Sequence, residues 1–156
     1  MAASPMRTRR LLRELCQLKK GLSKSISLDA TENLDKWVVR LCGAEDTLYE
    51  GEEYTLLFEF SEEYPLEAPV VTFTGNPPVH PHVYSNGHIC LSILYRHWCP
   101  VLTVDAICQS ILSMLSSCEK KEKPSRDKVY VQQAKSSPKE TVWIFDGMMP
   151  RFNGLQ

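Results

Sequence analysis

The chain has 156 residues, of which 43% are hydrophobic and 24% charged, and this balance is typical of one compact globular domain spanning residues 1–156. The formal net charge is -1 and the pI is near 6.4, which excludes a general electrostatic attraction to nucleic acid or to an anionic membrane. No apolar run approaches the roughly 20 residues that a membrane-spanning helix needs.

The cysteines indicate a reducing compartment. The six cysteines include no Cys-x-x-Cys pair, and the N-terminus lacks the apolar core of a secretory signal. Proteins with such free thiols are typical of reducing compartments. We therefore expect the protein in the cytoplasm, the nucleus or both.

The first predicted elements are a helix and three strands. Ser4 and Pro5 are the candidate N-cap and first residue of a helix over about residues 5–20, and leucines at positions 11, 15, 18 and 22 follow at helical spacing. We expect the arginines of this helix to face outward. Alternating apolar residues then predict antiparallel strands over residues 37–41, 54–60 and 71–73.

A long irregular stretch follows over residues 75–102. Its four prolines and Gly87 exclude regular strand pairing, and loops of this length in a compact domain are usually functional. Thr103 then caps a second predicted helix, whose apolar stripe indicates packing on the sheet. After Cys118 come a charged run at 119–123 and weak periodicity to the end of the chain.

Cys90 is the candidate nucleophile. It follows the turn-forming residues Ser85, Asn86 and Gly87 and lies outside any helical or alternating apolar pattern, so we expect it on a loop, exposed to chemistry. A thiol on such a loop can act as a nucleophile, whereas a buried free cysteine packs as a small hydrophobe. Cys16 and Cys108 lie on or beside helical apolar rows and are predicted to be core residues. Nothing in the sequence argues for catalysis at the remaining three cysteines, which are Cys42, Cys99 and Cys118.

Residues 80–94, from His80 through Cys90 to Leu94, resemble the active-site segment of the ubiquitin-conjugating enzymes. Their usual motif is His-Pro-Asn followed by a short loop and Cys-Leu, and here His82 stands in place of the Asn. The His-Pro-His form, with Ser92 two residues after the cysteine, resembles the W-type members, which transfer ubiquitin to protein N-termini. Three further segments resemble family motifs in the same order: residues 10–15, 64–69 and 98–103.

The resemblance implies an α+β fold, the ubiquitin-conjugating fold. Its expected elements are an N-terminal helix, an antiparallel four-stranded meander sheet, a long irregular active-site loop, a central helix and a weakly ordered C-terminal part. The resemblance covers residues 5–118, and residues 119–156 are expected to be variable.

The resemblance also implies roles within the active-site loop. Cys90 is expected to accept ubiquitin as a thioester from the activating enzyme and to pass it to an amine. His82 either donates to the oxyanion or holds the loop, as the family's Asn does, or only packs the loop. His80 is expected to fix the turn and Asn86 to be a turn residue. His88 is expected to be exposed, although a role as local base stays open.

A second implied surface binds the activating enzyme and a RING or U-box ligase. It is expected at six residues: Arg9, Arg13, Leu66, Trp98, Pro100 and Val101. Since ATP is used upstream, we expect no cofactor and no metal. The expected partners are therefore ubiquitin, the activating enzyme, the ligases and protein substrates with flexible N-termini.

The acceptor is predicted to be a terminal α-amino group. At pH about 7.4 roughly a quarter of such amines are unprotonated, against about 0.1% of lysine side chains, so lysine transfer needs help from the enzyme. Ser92 stands where many members have Asp, and the nearest downstream acid that aligns is Asp127. Lysine-directed transfer remains an alternative. Two others stay open: zinc binding through His80, His82, His88 and Cys90, and a protein-interaction module without catalysis.

Overall fold

A computed structural model describes residues 4–21, 23–144 and 151–152, the last pair by backbone alone. The helices are α1 (Pro5–Lys19), α2 (Val104–Ser116) and α3 (Asp127–Gln133). The strands are β1 (Ile26–Asn33), β2 (Lys36–Cys42), β3 (Glu53–Glu59), β4 (Val70–Thr74), β5 (Thr141–Val142) and β6 (Arg151–Phe152). Strands β1 to β4 form one antiparallel sheet in the order β1-β2-β3-β4, and β5 pairs with β6. The predicted α+β fold and four-stranded meander are confirmed.

One face of the sheet is buried because buried and more exposed residues alternate along its central strands. Trp37, Val39 and Leu41 of β2 point into the core, where none is measurably exposed. Strand β1 was not recognised from sequence, because all but one of its residues are partly or fully exposed. It pairs along β2, with Ile26 opposite Leu41. Ile26 is the only fully buried residue of this edge strand and Leu28 is only partly buried against the core, so the strand carries little periodic signal.

Helix α1 begins where the sequence predicts, but its arginines do not all face outward. Ser4 occupies the N-cap position without a side-chain bond, and Pro5 follows in the first turn. Arg9 is exposed, whereas Arg7 is buried with 3% exposure. The Nε–H of Arg7 donates to the Ser61 carbonyl at 2.8 Å, so the outward prediction is wrong for Arg7. Leu22 lies outside the described residues.

Helix α2 closes the core as predicted. The Thr103 Oγ1 accepts from the Ala106 N–H at 3.1 Å, which satisfies one of the free amides at the helix start. Ile107, Cys108 and Ile111 are fully buried in the main core. The core prediction is therefore confirmed for Cys108 but wrong for Cys16, which is exposed on α1. No helix in the described ranges is both long and apolar enough to cross a membrane.

The C-terminal part contains more structure than its weak periodicity indicates. Helix α3 and a 3₁₀ turn at Pro138–Glu140 bring Tyr130 and Trp143 against Tyr84 of the active-site loop. These three aromatic side chains form a second, smaller buried cluster. The prediction of weak order at the end of the chain also concerns residues 145–150 and 153–156, which lie outside the described residues.

Candidate active site

The turn at Ser85, Asn86 and Gly87 reverses the chain just before Cys90, as predicted. The Asn86 Oδ1 accepts from the His88 N–H at 3.1 Å, which is the local bond expected of a turn asparagine. Gly87 has φ +89°, and a Cβ there would lie 2.0 Å from the Phe73 carbonyl oxygen. The Phe73 N–H donates to the Gly87 carbonyl at 2.9 Å. Glycine is therefore required for the turn to dock on β4.

His80 ties the active-site loop to helix α2. Its buried ring accepts the His82 N–H at Nδ1 over 2.9 Å and donates from Nε2 to the Met114 carbonyl at 3.1 Å. Burial lowers the pKa of His80, so the ring is neutral in this arrangement. The His82 carbonyl in turn accepts the Cys90 N–H at 2.8 Å. This geometry agrees with the structural role expected of His80.

The Cys90 thiol is half-buried at the edge of a groove. It packs against the aromatic cluster of Tyr84, Tyr130 and Trp143. This burial raises the pKa of the thiol to about 11, because the thiolate is poorly solvated beside apolar rings. The thiol is thus reachable, but it is less exposed than the sequence predicted.

The groove beside Cys90 has a volume of about 790 Å³. His82 and Ser92 line it from the active-site loop, and Glu119 and Glu122 line it from the charged run after α2. The two glutamates were not recognised as site residues, although an acidic run directly after a predicted helix was the available signal. The groove therefore presents an imidazole, a hydroxyl and two carboxylates next to the thiol.

His82 itself is exposed, and its ring centroid lies 5.4 Å from that of His80. Within the described part of the chain its side chain makes no hydrogen bond, so it does not hold the loop through a side-chain bond. Its backbone carbonyl performs that task instead. The ring is free to face an incoming group in the groove.

His88 is buried, so the prediction that it is exposed is wrong. Its exposure is 4%, and burial lowers the pKa of the ring. Nε2–H donates to the Ser136 carbonyl at 3.1 Å, and Nδ1 accepts the Tyr130 hydroxyl at 2.7 Å. Both nitrogens are therefore occupied, which removes His88 as a local base. The C-terminal segment that covers it was not predicted as structured.

Asp127 lies in the first turn of α3 and is not one of the residues that line the groove. It is 7% exposed. Its Oδ1 accepts the Ser85 N–H at 2.8 Å and its Oδ2 accepts the Ser85 hydroxyl at 2.7 Å. Both carboxylate oxygens are thus used to hold the active-site turn.

The geometry argues against the zinc alternative. His80 and His88 use both ring nitrogens in protein hydrogen bonds. Across residues 4–21 and 23–144, no three His, Cys, Asp or Glu side chains are grouped so that they could hold a metal ion.

The residues predicted to bind the activating enzyme and ligase lie on α1 and two neighbouring loops. Leu66 and Val101 are 67% and 77% exposed, and Arg9, Arg13 and Pro100 are exposed as well. Trp98 is half-buried, and its indole N–H donates to the Pro65 carbonyl at 2.9 Å. This hydrogen bond connects the loop that carries Leu66 to the loop that carries Val101.

Sequence reasoning missed Glu14, a buried carboxylate beneath this surface. Its Oε1 accepts the Val104 N–H at 2.7 Å, and its Oε2 accepts from Arg10 Nε at 2.9 Å and from the Tyr64 hydroxyl. Arg10 also donates to the Leu102 carbonyl at 2.7 Å. Glu14 therefore connects α1, the Tyr64 loop and the start of α2. An acid on an otherwise apolar helix face was the only sequence signal.

The chain is similar in sequence to ubiquitin-conjugating enzymes over most of its length. Residues 10–143 match the family model described as "Ubiquitin-conjugating enzyme". The chain is 52% identical over 138 residues to "Probable ubiquitin-conjugating enzyme E2 W" of Dictyostelium discoideum, covering 88% of this chain and 93% of the relative. It is 47% identical over 142 residues to "Ubiquitin-conjugating enzyme E2 W" of Caenorhabditis elegans, covering 88% and 93%.

Among solved structures, the crystal structure of ubiquitin conjugating enzyme E2 UbcA1 from Agrocybe aegerita superposes with a TM-score of 0.84. The two sequences are 42% identical, and the match covers 87% of this chain and 100% of that one.

Proposed function

Because the chain belongs to the ubiquitin-conjugating enzyme family, we propose that Cys90 is the residue that carries ubiquitin as a thioester. Members of the family are transferases that act with ubiquitin, the activating enzyme and ligases. The observation that carries the assignment to Cys90 is its position. It is the only one of the six cysteines that lies both in the active-site loop and in the groove lined by His82 and Ser92.

The surroundings of Cys90 favour a stable thioester. A thiol of high pKa is a poor leaving group, so its thioester resists premature transfer and hydrolysis. The neutral thioester also avoids the desolvation that disfavours the thiolate among Tyr84, Tyr130 and Trp143. Slow discharge in the absence of an acceptor and a ligase is the expected consequence.

Transfer then proceeds by attack of an unprotonated amine on the thioester carbonyl carbon. The tetrahedral intermediate carries an oxyanion, and its collapse forms the amide, breaks the C–S bond and releases Cys90 as the thiolate. The thiolate takes up the proton that the amine nitrogen loses, which regenerates the thiol. The Cys90 N–H is already bonded to the His82 carbonyl and does not stabilise the oxyanion. The exposed His82 ring is the donor that we propose for this role, and the Ser92 hydroxyl is a second donor in the same groove.

The preferred acceptor in this proposal is the α-amino group of a flexible N-terminus. A terminal amine of pKa about 7.7–8.0 is unprotonated about 200 to 300 times more often at pH about 7.4 than a lysine near 10.4. Asp127 is buried, accepts from Ser85 through both oxygens and does not line the groove, so in this proposal it does not assist a lysine.

Lysine-directed transfer is a second candidate, favoured by one observation. Glu119 and Glu122 line the same groove as Cys90, and carboxylates there would attract and orient a lysine ammonium. Glu122 also pairs with Lys120 at 3.4 Å, which partly neutralises it.

The ligase partner in this proposal is of the RING or U-box class and docks on the apolar patch of Leu66, Trp98 and Val101. The nearby exposed Arg9 and Arg13 add positive charge at its rim. We also propose a cytoplasmic or nuclear location, because all six cysteines are free.

The acceptor is tested with enzyme charged with ubiquitin and purified from the activating enzyme. It is offered one flexible peptide that contains a single lysine, either with a free or with an acetylated N-terminus. Discharge to the free form is expected to be at least about tenfold faster, given the difference in unprotonated amine. Comparable discharge to both forms would refute the α-amine preference.

The lysine candidate makes a different prediction for the acetylated peptide. Discharge to it would fall in Glu119→Gln and Glu122→Gln but not in the control Glu62→Gln, an exposed acid of another loop.

A further inference from the structure

The C-terminal segment holds the active-site turn at two points. Asp127 binds the backbone and the hydroxyl of Ser85, at 2.8 and 2.7 Å. Three residues further along the turn, His88 binds the Tyr130 hydroxyl and the Ser136 carbonyl, at 2.7 and 3.1 Å. Four hydrogen bonds therefore fix the chain on both sides of Asn86 and Gly87, immediately before the nucleophile.

The proton positions in the second anchor follow from its partners. A carbonyl only accepts, so His88 Nε2 carries the hydrogen that binds Ser136, and Nδ1 must accept from the Tyr130 hydroxyl. The Tyr130 oxygen then accepts the Thr141 hydroxyl at 3.0 Å. The result is a directed chain from Thr141 through Tyr130 to His88. All three residues are buried, where an unpaired polar group is costly.

The same segment also sets the apolar surroundings of Cys90. The rings of Tyr84 and Tyr130 lie 3.9 Å apart between centroids, and those of Tyr130 and Trp143 lie 5.5 Å apart. Cys90 packs on this cluster. Tyr130 thus joins the hydrogen-bonded anchor to the wall behind the thiol, and a shift of Tyr130 relative to His88 changes what the thiol contacts.

We propose that residues 127–143 act as a clamp on the active-site loop, and that His88 is a positioning residue that holds Cys90 in place through Tyr130. The inference rests on the proposed role of Cys90 and extends it. Asp127, Tyr130 and Thr141 belong to the clamp. In the proposed reaction, the residues that contact the reacting group are Cys90 and His82. In this proposal, the C-terminal segment is therefore part of the active site, because it positions the loop that carries Cys90.

The test removes single hydroxyl groups and keeps the packing. Tyr130→Phe retains the ring against Tyr84 but leaves His88 Nδ1 without its donor. Thr141→Val removes only the outer link of the chain. The matched control is Tyr54→Phe, which deletes a half-buried tyrosine hydroxyl bonded to Glu52 on the sheet.

The readout is alkylation of the Cys90 thiol by iodoacetamide, followed by mass spectrometry of the peptide that contains it. The pH profile of this rate reports how strongly the thiol is buried. The titratable groups that face the thiol or line its groove are the same in every variant except Tyr130→Phe. They are Tyr84, Tyr95, Tyr130, His80, His82, Cys118, Glu119, Lys120 and Glu122.

A loosened clamp exposes the thiol. Alkylation in Tyr130→Phe is expected to be about tenfold faster at pH 8, which corresponds to ~1.4 kcal/mol, with the midpoint of its pH profile moved toward that of an ordinary thiol. Thr141→Val should show a smaller increase in the same direction, and Tyr54→Phe should match the wild type. An unchanged rate and profile in both Tyr130→Phe and Thr141→Val would overturn the proposal, as would an equal increase in Tyr54→Phe.

This assay needs no ubiquitin and no acceptor. If alkylation responds as expected but the wild type forms no thioester, the clamp stands and the proposed function fails. If the wild type forms the thioester while alkylation is insensitive to both clamp variants, the proposed function stands and the clamp fails.

Discussion

Replacing Glu14 with alanine should destabilise the protein strongly. The carboxylate is 2% exposed and accepts from Arg10, Tyr64 and the Val104 amide. Removing one member of a buried ion pair costs about 3–5 kcal/mol, because the remaining groups are left unpaired. Arg10 keeps its bond to the Leu102 carbonyl and is 14% exposed, so we take the lower end, about 3 kcal/mol.

For a chain of this length, ~3 kcal/mol corresponds to a fall in the melting temperature of about 6–12 °C. The assay is thermal and urea-induced unfolding followed by circular dichroism. Glu14→Gln keeps an acceptor for Val104 and should lose about half as much. Gln17→Ala, an exposed change on the same helix, is the control and should stay within about 0.5 kcal/mol. A loss below 1 kcal/mol in Glu14→Ala would refute the reasoning.

Three further predictions concern other parts of the molecule. Burial lowers the pKa of His80 and His88 below the unfolded value of about 6.5. The free energy of unfolding, measured in urea from pH 8 to 5, should therefore be highest above pH about 6.5 and should fall as the pH drops through the folded pKa. In the same urea assay, Gly87→Ala should lower the free energy of unfolding by about 2 kcal/mol or more, because the added Cβ would clash with the Phe73 carbonyl. Gly51→Ala has open space around the added Cβ and should lower it by only about 1 kcal/mol. Leu66→Ala should charge with ubiquitin normally but lose most ligase-stimulated discharge in a single-turnover assay; a proportionate loss of charging would show that the patch is structural instead.

The parts of the fold that were predicted depend on neighbours in sequence. Helix α2 shows its period and its Thr103 cap within about a dozen residues. The turn before Cys90 is encoded by Asn86 and Gly87 themselves, and the loop was recognised from a contiguous motif. Local chemistry of this kind can be read directly from a single sequence.

The errors all involve partners that are distant in sequence or patterns with little contrast. Arg7 is buried by a carbonyl 54 residues away, and His88 by a hydroxyl 42 residues away. Neither contact leaves a trace in the local pattern. Cys16 directly follows Leu15, which packs on the core, but its own side chain faces solvent. A shift of one residue along a helix is enough to turn a side chain from the core to the surface. Strand β1 was missed because only Ile26 and Leu28 of its eight residues pack on the core, which makes too short an alternation to recognise.

The central claim is that Cys90 carries ubiquitin as a thioester, and one measurement tests it most directly. The protein is incubated with ubiquitin, activating enzyme and ATP and run on gels with and without reductant. An adduct that reductant removes is expected in the wild type and in Cys16→Ala and Cys99→Ala, which replace the two exposed cysteines, but not in Cys90→Ala. A reductant-sensitive adduct that persists in Cys90→Ala would contradict the account.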